Sequence, residues 1–186
     1  MSHEQAPSAQ ENDEPKFGEY KEDPEKIFYH GSSEDYELDP EKTDPLFGGE
    51  LYVTDHVSRA AGHVIGEHGK LHELKLKLKK VFEFDKVSTL DEVNEIREAA
   101  GLSKKSEDEW EPTTNAFVHG SIMNELNKGL TSEERESGAA SNKLINDALR
   151  KAGYDAIRSP QALSGENVWR VLKKDAFKQV KEKRNL

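Results

Sequence analysis

The sequence predicts an α+β fold in one domain, and three observations carry that reading. Short strand-like runs lie at both ends of the chain, amphipathic helical segments fill its middle, and no β-α-β alternation repeats along it. The 186 residues suffice for one proper core and are too few for two ordinary domains plus a tail. Hydrophobic residues make up 33% and charged ones 34%, so the core must be economical and part of the chain is expected to stay unpacked.

The elements follow in order. Residues 1–24 combine Pro, Ser, Gln, Glu and Asp with almost no large apolar side chains, which predicts a disordered acidic tail ahead of a domain spanning 25–186. "IFYH" reads as a short strand ended by Gly31, and after a polar loop "ELYVT" reads as a second. Asp55 or Thr54 can cap the helix "HVSRAAGHVIGEH", whose Ala60, Ala61 and Gly62 suit close packing on a sheet. In "KLHELKLKLKKVFEF", Leu74, Leu76 and Leu78 alternate with Lys75, Lys77 and Lys79, the pattern of a half-exposed antiparallel strand. "STLDEVNEIREAAG" sets Leu90, Val93, Ile96 and Ala100 at helical spacing, with Ser88 or Thr89 as cap and Gly101 as stop. Two more amphipathic helices, "NAFVHGSIMNELNKG" and "SNKLINDALRKAG", each close on glycine. "YDAIRS" and "VWRVL" read as strands around the turn-rich "PQALSGEN", and the chain finishes in the basic "KKDAFKQVKEKRNL".

Charge and composition exclude several functions. The formal net charge of −10 argues against a protein whose main task is neutralising phosphates. That charge is uneven, however: residues 1–25 hold eight acids and two bases, while residues 174–186 hold five bases and two acids, so a local nucleic-acid contact stays open. Zero cysteines remove disulfides, thiolate metal sites and cysteine nucleophiles together. With no apolar stretch long enough for a membrane and no secretory pattern at the start, a cytoplasmic protein is expected. No P-loop, G-x-G-x-x-G or G-x-S-x-G motif occurs. His56, His63, His68 and His72 lie close in sequence, and His56 and His63 would share a helix face, but Gly66 and Gly69 interrupt before the other two, so no metal site is expected.

His30 closes an apolar run and is followed at once by Gly31, Ser32 and Ser33, and on its own it reads as a packing residue. Its company along the chain changes that reading. "FYHGSS", then "GGELYVTDHVSRAAGHV", then "LHELKLKLKKVFEFD", then "AGYDAIRSPQALSGENVWRVLKKDAF" occur in one order. That order resembles the ADP-ribosyltransferase superfamily, in its histidine–tyrosine branch of diphtheria-toxin-like and poly(ADP-ribose) polymerase-like enzymes with small bacterial and phage relatives. The likeness covers residues 26 to about 180 and leaves roughly 101–140 as a family-variable helical insertion.

The resemblance implies a split, two-sheet NAD-binding core with flanking helices. It implies a mono-ADP-ribosyltransferase, a glycosyltransferase that takes NAD as co-substrate and hands ADP-ribose to a protein, nucleic acid or small molecule, in the setting of a toxin or phage effector. An inactive NAD-binding or partner-binding module and an NAD glycohydrolase are the alternatives. By the same resemblance His30 would hydrogen-bond a ribose hydroxyl, the Gly31 backbone would clamp the nicotinamide amide where a side chain would collide, Ser32 would hold the adenosine side, and Tyr52 would stack on the nicotinamide ring. The family's catalytic glutamate precedes an aromatic residue; matching Trp169 to that aromatic puts Val168 where glutamate belongs. Glu166 lies two residues upstream, on the same strand face and about 7 Å away if the strand extends that far. Either Glu166 is the catalytic carboxylate or the site lacks one.

Overall fold

The computed structural model describes residues 23, 25–33, 37–40, 51–160 and 167–184. The acidic tail and Glu166 therefore lie outside the described residues, apart from Asp23 at the tail's end. Seven strands form one curled sheet: β1 (Phe28–Ser32), β2 (Leu51–Thr54), β3 (Lys70–Leu76), β4 (Val81–Glu83), β5 (Ala156–Pro160), β6 (Asn167–Val171) and β7 (Phe177–Arg184). Their spatial order is β4-β5-β6-β2-β1-β3-β7. Only β4 and β5 run parallel; the remaining neighbours are antiparallel. Five α-helices accompany the described strands: α1 (Val57–Ala61), α2 (Leu90–Ala99), α3 (Asn115–Asn127), α4 (Ser132–Ser137) and α5 (Ala139–Lys151). Among the described residues no helix is long and apolar enough to cross a membrane.

The mixed α+β class agrees with the pattern of the sequence, but the two expected sheets are joined. β2 pairs with β6 at four positions and β1 with β3 at five, whereas among the described residues β1 meets β2 only at Tyr29↔Thr54. One cross-strand pair thus connects two halves, β4-β5-β6-β2 and β1-β3-β7, into a single sheet with a narrow waist.

Each face of the sheet has its own core. On one face Phe28, Leu51, Val53, Leu74, Trp169 and Val171 pack together, and the Trp169 ring meets Phe28 edge-on at 5.8 Å. On the other, Phe82 and Ile157 are covered by Val93 and Ile96 of α2, Val118 and Ile122 of α3, and Ile145 and Leu149 of α5. The region expected to vary, 101–140, therefore supplies two side chains at the centre of this second core. Its helix α3 is fixed at the start by its own free N–H groups: Asn115 N donates to Lys86 O at 2.7 Å and Ala116 N to Phe84 O at 3.1 Å.

Local signals explain the helix ends. Thr89 and Glu92 form a reciprocal capping box on α2, with positive φ at Gly101 after it. α1 is much shorter than the helix read over residues 56–68. Thr54 Oγ1 accepts from His56 N at 3.2 Å to start it, and the chain leaves the helix at Gly62 and reaches positive φ at Gly66.

The run read as one strand over residues 70–84 is two strands at distant places in the sheet. β3 stops at Leu76 and β4 begins at Val81. The cause is Asp155: its Oδ2 accepts successive N–H groups from Lys79 and Lys80 at 2.7 and 3.1 Å, which turns the chain out of β3. Burial alone would raise that carboxyl's pKa, but Lys173 at 2.8 Å and the two N–H donors outweigh it and hold it below the ordinary range. The basic C-terminal run, which the sequence left without an element, is β7. It pairs along all of β3 and forms the sheet edge, and its lysines suit an edge strand that must not recruit another chain.

Trp169 is 1% exposed at the junction of three strands. Trp169→Ala should cost about 3–5 kcal/mol, the usual range for deleting a large buried aromatic. Urea unfolding monitored by far-UV circular dichroism measures it directly.

Candidate functional site

The site predicted from the sequence falls at the waist of the sheet. Alternation along β1 places Phe28, His30 and Ser32 on one face, and β3 sets Leu74, His72 and Lys70 opposite them in register. Ser32, Lys70 and His72 are buried, and the His30 and His72 rings lie 5.8 Å apart.

His30 Nδ1 lies 2.7 Å from the carbonyl oxygen of Tyr52. A carbonyl can only accept, so Nδ1 carries the proton and Nε2 is the accepting nitrogen of the neutral ring. Burial pushes the His30 pKa down to about 4; the bond to Tyr52 opposes that shift, and the neighbouring His72 and His63 reinforce it. The ring is therefore neutral at pH 7. Continuing the register from Tyr29↔Thr54 would set Gly31 opposite Tyr52, but the pairing ends first and the His30 side chain meets the Tyr52 backbone there instead.

Gly31 is required by the protein itself. A Cβ at this position would sit 1.8 Å from the carbonyl oxygen of Ala60 and 3.2 Å from His63 Cβ, so the backbone of α1 fills the space a side chain would need. The resemblance placed the collision at a bound ligand; the nearer obstacle is α1. This close approach is what the small residues Ala60 and Ala61 permit.

Tyr52 is 38% exposed between the buried Leu51 and Val53, so its ring is on the face opposite the Trp169 core. The structure thus brings the His30 ring to the Tyr52 backbone, while alternation directs the Tyr52 ring to the outer face, on the side of Gly31 where α1 packs. Val168, at the position matched to the family glutamate, is half-buried and pairs with Thr54 and Ser159. Glu166 is outside the described residues, and the strand begins at Asn167. Asn167 Oδ1 accepts from Arg158 Nη1 at 3.1 Å, and Arg158 is held in turn by Glu83 at 2.6 Å and Asp85 at 3.0 Å.

Three side chains at this waist were not read as site residues from the sequence: His72, His63 and Arg170. His72 and Arg170 arrive by register, opposite His30 and Tyr52, and a register between strands some forty to one hundred and twenty residues apart leaves no local signal in one sequence. His63 arrives because α1 is short and the chain turns directly after it. Of the four clustered histidines, His56 lies beside Asp55 with Nε2 and Oδ1 3.7 Å apart, while His72 is buried in β3. Among the described residues no three His, Asp or Glu side chains are grouped to hold a metal ion. A cavity of about 380 Å³ lies elsewhere, between α2, α3 and the segment 105–113.

No protein-family profile matches the chain, and no curated protein does. Two solved structures are similar at low identity. One is described as an anti-CRISPR protein, 14% identical with a TM-score of 0.46, covering 83% of this chain and 94% of that one. The other is the M. tuberculosis MbcT-MbcA toxin-antitoxin complex, 13% identical with a TM-score of 0.41, covering 90% of this chain and 86% of that one. Both scores lie below the level at which a shared fold follows.

Gly31→Ala should destabilise the protein by at least the roughly 1–3 kcal/mol of an overpacked core site, because the obstacle is backbone and cannot swing aside. The shift of the urea midpoint checks it. His30 and His119 both have folded-state pKa values of about 4, below their unfolded value of 6.5. As pH falls from about 6.5 towards 4 the unfolded chain takes up protons that these rings refuse, so stability declines across that window. Histidine Cε1–H NMR shifts at both positions should stay flat from pH 8 to about 5, and a midpoint near 6.5 at His30 would contradict its burial.

Proposed function

We propose that the chain binds NAD at the waist between β1 and β2 and transfers a single ADP-ribose to an acceptor. The observation that supports this reading is the His30 ring, held neutral and in one tautomer by the Tyr52 carbonyl, where the β1–β2 pairing ends. A neutral imidazole whose Nε2 accepts is the group needed to receive a ribose hydroxyl proton in a hydrogen bond. Gly31 follows it in the chain, with its backbone at the level where the strands part, and Ser32 is next. Tyr52 offers an exposed ring to an aromatic base.

The chemistry asks little acid–base work of these residues. The bond between ribose C1′ and the nicotinamide nitrogen breaks with its electron pair going to nicotinamide, which leaves neutral. The ribose becomes cation-like, an acceptor nucleophile bonds to C1′, and the acceptor's proton passes to solvent or a base. His30 and the Gly31 backbone would hold the substrate in position, which is where much of the acceleration in such a site arises. Glu166, next in sequence to Asn167 of β6, would supply negative charge beside the developing cation.

A second reading has its own observation: Val168, at the matched strand position, carries no charge and is paired on both sides. On this reading the chain binds NAD or a partner without turnover. Incubation with NAD labelled on the adenylate, with cell extract as acceptor source, separates the readings. Transfer predicts label on an acceptor and free nicotinamide, with release falling roughly tenfold or more in His30→Ala, the loss of about one hydrogen bond to substrate. Nicotinamide release without labelled acceptor identifies hydrolysis, NAD binding by calorimetry without release identifies the NAD-binding module, and absence of NAD binding sinks every reading except that of a partner-binding module. Loss of activity in Glu166→Gln assigns the carboxylate.

A further inference from the structure

The register of β3 with β7 opposes like charges. Lys75 faces Lys178 directly, and Lys181 lies across from Glu73. These side chains share the outer face of the sheet, because Leu74 and Leu76 take the alternate positions and pack into the Trp169 core on the other. Just past the end of β3, Lys77 continues the alternation and is exposed, as Lys178 and Lys181 are. Two cations opposed across a strand pair destabilise it, so this face calls for a counter-charge. Among the described residues one acid already answers: Glu25 Oε2 lies 2.6 Å from Lys75 Nζ.

Glu25 is the last acid of the segment that precedes the domain. Lys26 N donates to Asp23 O at 3.0 Å and Glu25 N to Asp23 Oδ1 at 2.9 Å, a turn that brings the first described residues beside the lysine face. Ahead of it, residues 1–22 lie outside the described residues and hold six acids and two bases. Five of those acids fall between Glu11 and Glu22, a stretch that reaches roughly 40 Å when extended, against about 27 Å for the length of β7. The same stretch carries Phe17 and Tyr20, and Val180 of β7 is 50% exposed between Lys178 and Lys181.

We infer that residues 11–22 dock on the outer face of β3 and β7, their carboxylates set against Lys77, Lys178 and Lys181 as Glu25 is set against Lys75. Charge and connectivity select this occupant. A second copy would bring a net charge of −10 to a molecule that already carries −10, whereas the tethered segment is locally acidic and is held at high effective concentration by Glu25. The docked acids relieve the repulsion between Lys75 and Lys178. They also occupy the basic C-terminal strand, so that strand is not a free surface for nucleic acid.

The test uses the full chain, whose lack of cysteine lets one be introduced cleanly. Asn12→Cys carrying a nitroxide keeps every charge of the segment. In amide NMR spectra, positions 178 and 181 should lose most of their intensity relative to the reduced label, and recover it at 1 M salt, where the screening length falls to about 3 Å. Lys178→Glu combined with Lys181→Glu should abolish the loss, with thermal melting as the check on folding. Should that pair fail to fold, Glu19→Gln with Glu22→Gln, in the segment itself, must reduce the loss or the inference fails. No intensity loss, loss confined to other strands, or loss that persists at 1 M salt overturns it. A mixture of isotope-labelled chain without nitroxide and nitroxide-bearing chain without isotope should show no loss; an equal loss there places a second copy on this face and overturns the inference too. None of these outcomes depends on NAD binding, so the proposed function is tested separately.

Discussion

The waist between β1 and β2 is the constraint on which the site depends. A sheet joined through full ladders on every side would bury its central backbone groups in pairing and leave none for a ligand. Here the ladder between the two halves ends after one pair, and the next groups in line are a side chain, His30, and a carbonyl, Tyr52 O. The ring satisfies the carbonyl, which allows the strands to part without stranding a buried acceptor. The same bond sets the tautomer, so one hydrogen bond both seals the end of the ladder and prepares Nε2 to accept. α1 then fixes the far side of β1, because its backbone carbonyl at Ala60 occupies the space that any side chain at position 31 would need.

What the sequence made legible was whatever is specified locally. α2 follows from Thr89, Glu92 and Gly101, three residues acting within one short segment, and its periodic Val93 and Ile96 are buried as their spacing requires. β5 and β6 likewise carry enough apolar residues in a row to declare themselves. The failures are equally instructive. The alternating Leu74–Leu78 run looks like a continuous strand because alternation reports burial on one side, and Leu76 and Leu78 do pack against the core; yet Asp155, some seventy-five residues away, takes the N–H groups of Lys79 and Lys80 and ends the strand's course. β7 was hidden for the opposite reason, since an edge strand protected by lysine has too weak an apolar pattern to be distinguished from a basic tail.

The site divides in the same way. His30, Gly31, Ser32 and Tyr52 could be picked out by their place in short motifs, whereas His72 and Arg170 come beside the candidate site only through register with strands remote in the chain. Gly31 shows how a correct residue can carry an incomplete reason. A glycine in that motif suggested space for a ligand, and the structure supplies a sufficient cause in helix packing before any ligand is considered. Its motif position and its packing role are compatible, because α1 occupies the face where a side chain would stand, while the edge of β1 towards β2 lies past their shared pair.

The electrostatics of His30 tie the fold to the proposed chemistry. A histidine at the surface would be partly protonated near neutral pH, and an imidazolium beside a nicotinamide ring would place like charges together and oppose a transition state that is itself cation-like. Burial at the waist, with His72 and His63 adding to the effect, removes that charge. The ring keeps its ability to accept from a hydroxyl and contributes no repulsion. Neutrality here follows from burial of the ring on the face that β1 shares with β3, where His72 lies opposite it. Arg170 keeps its own charge away from this ring, because it stands on the outer face of β6 with its guanidinium over Phe84.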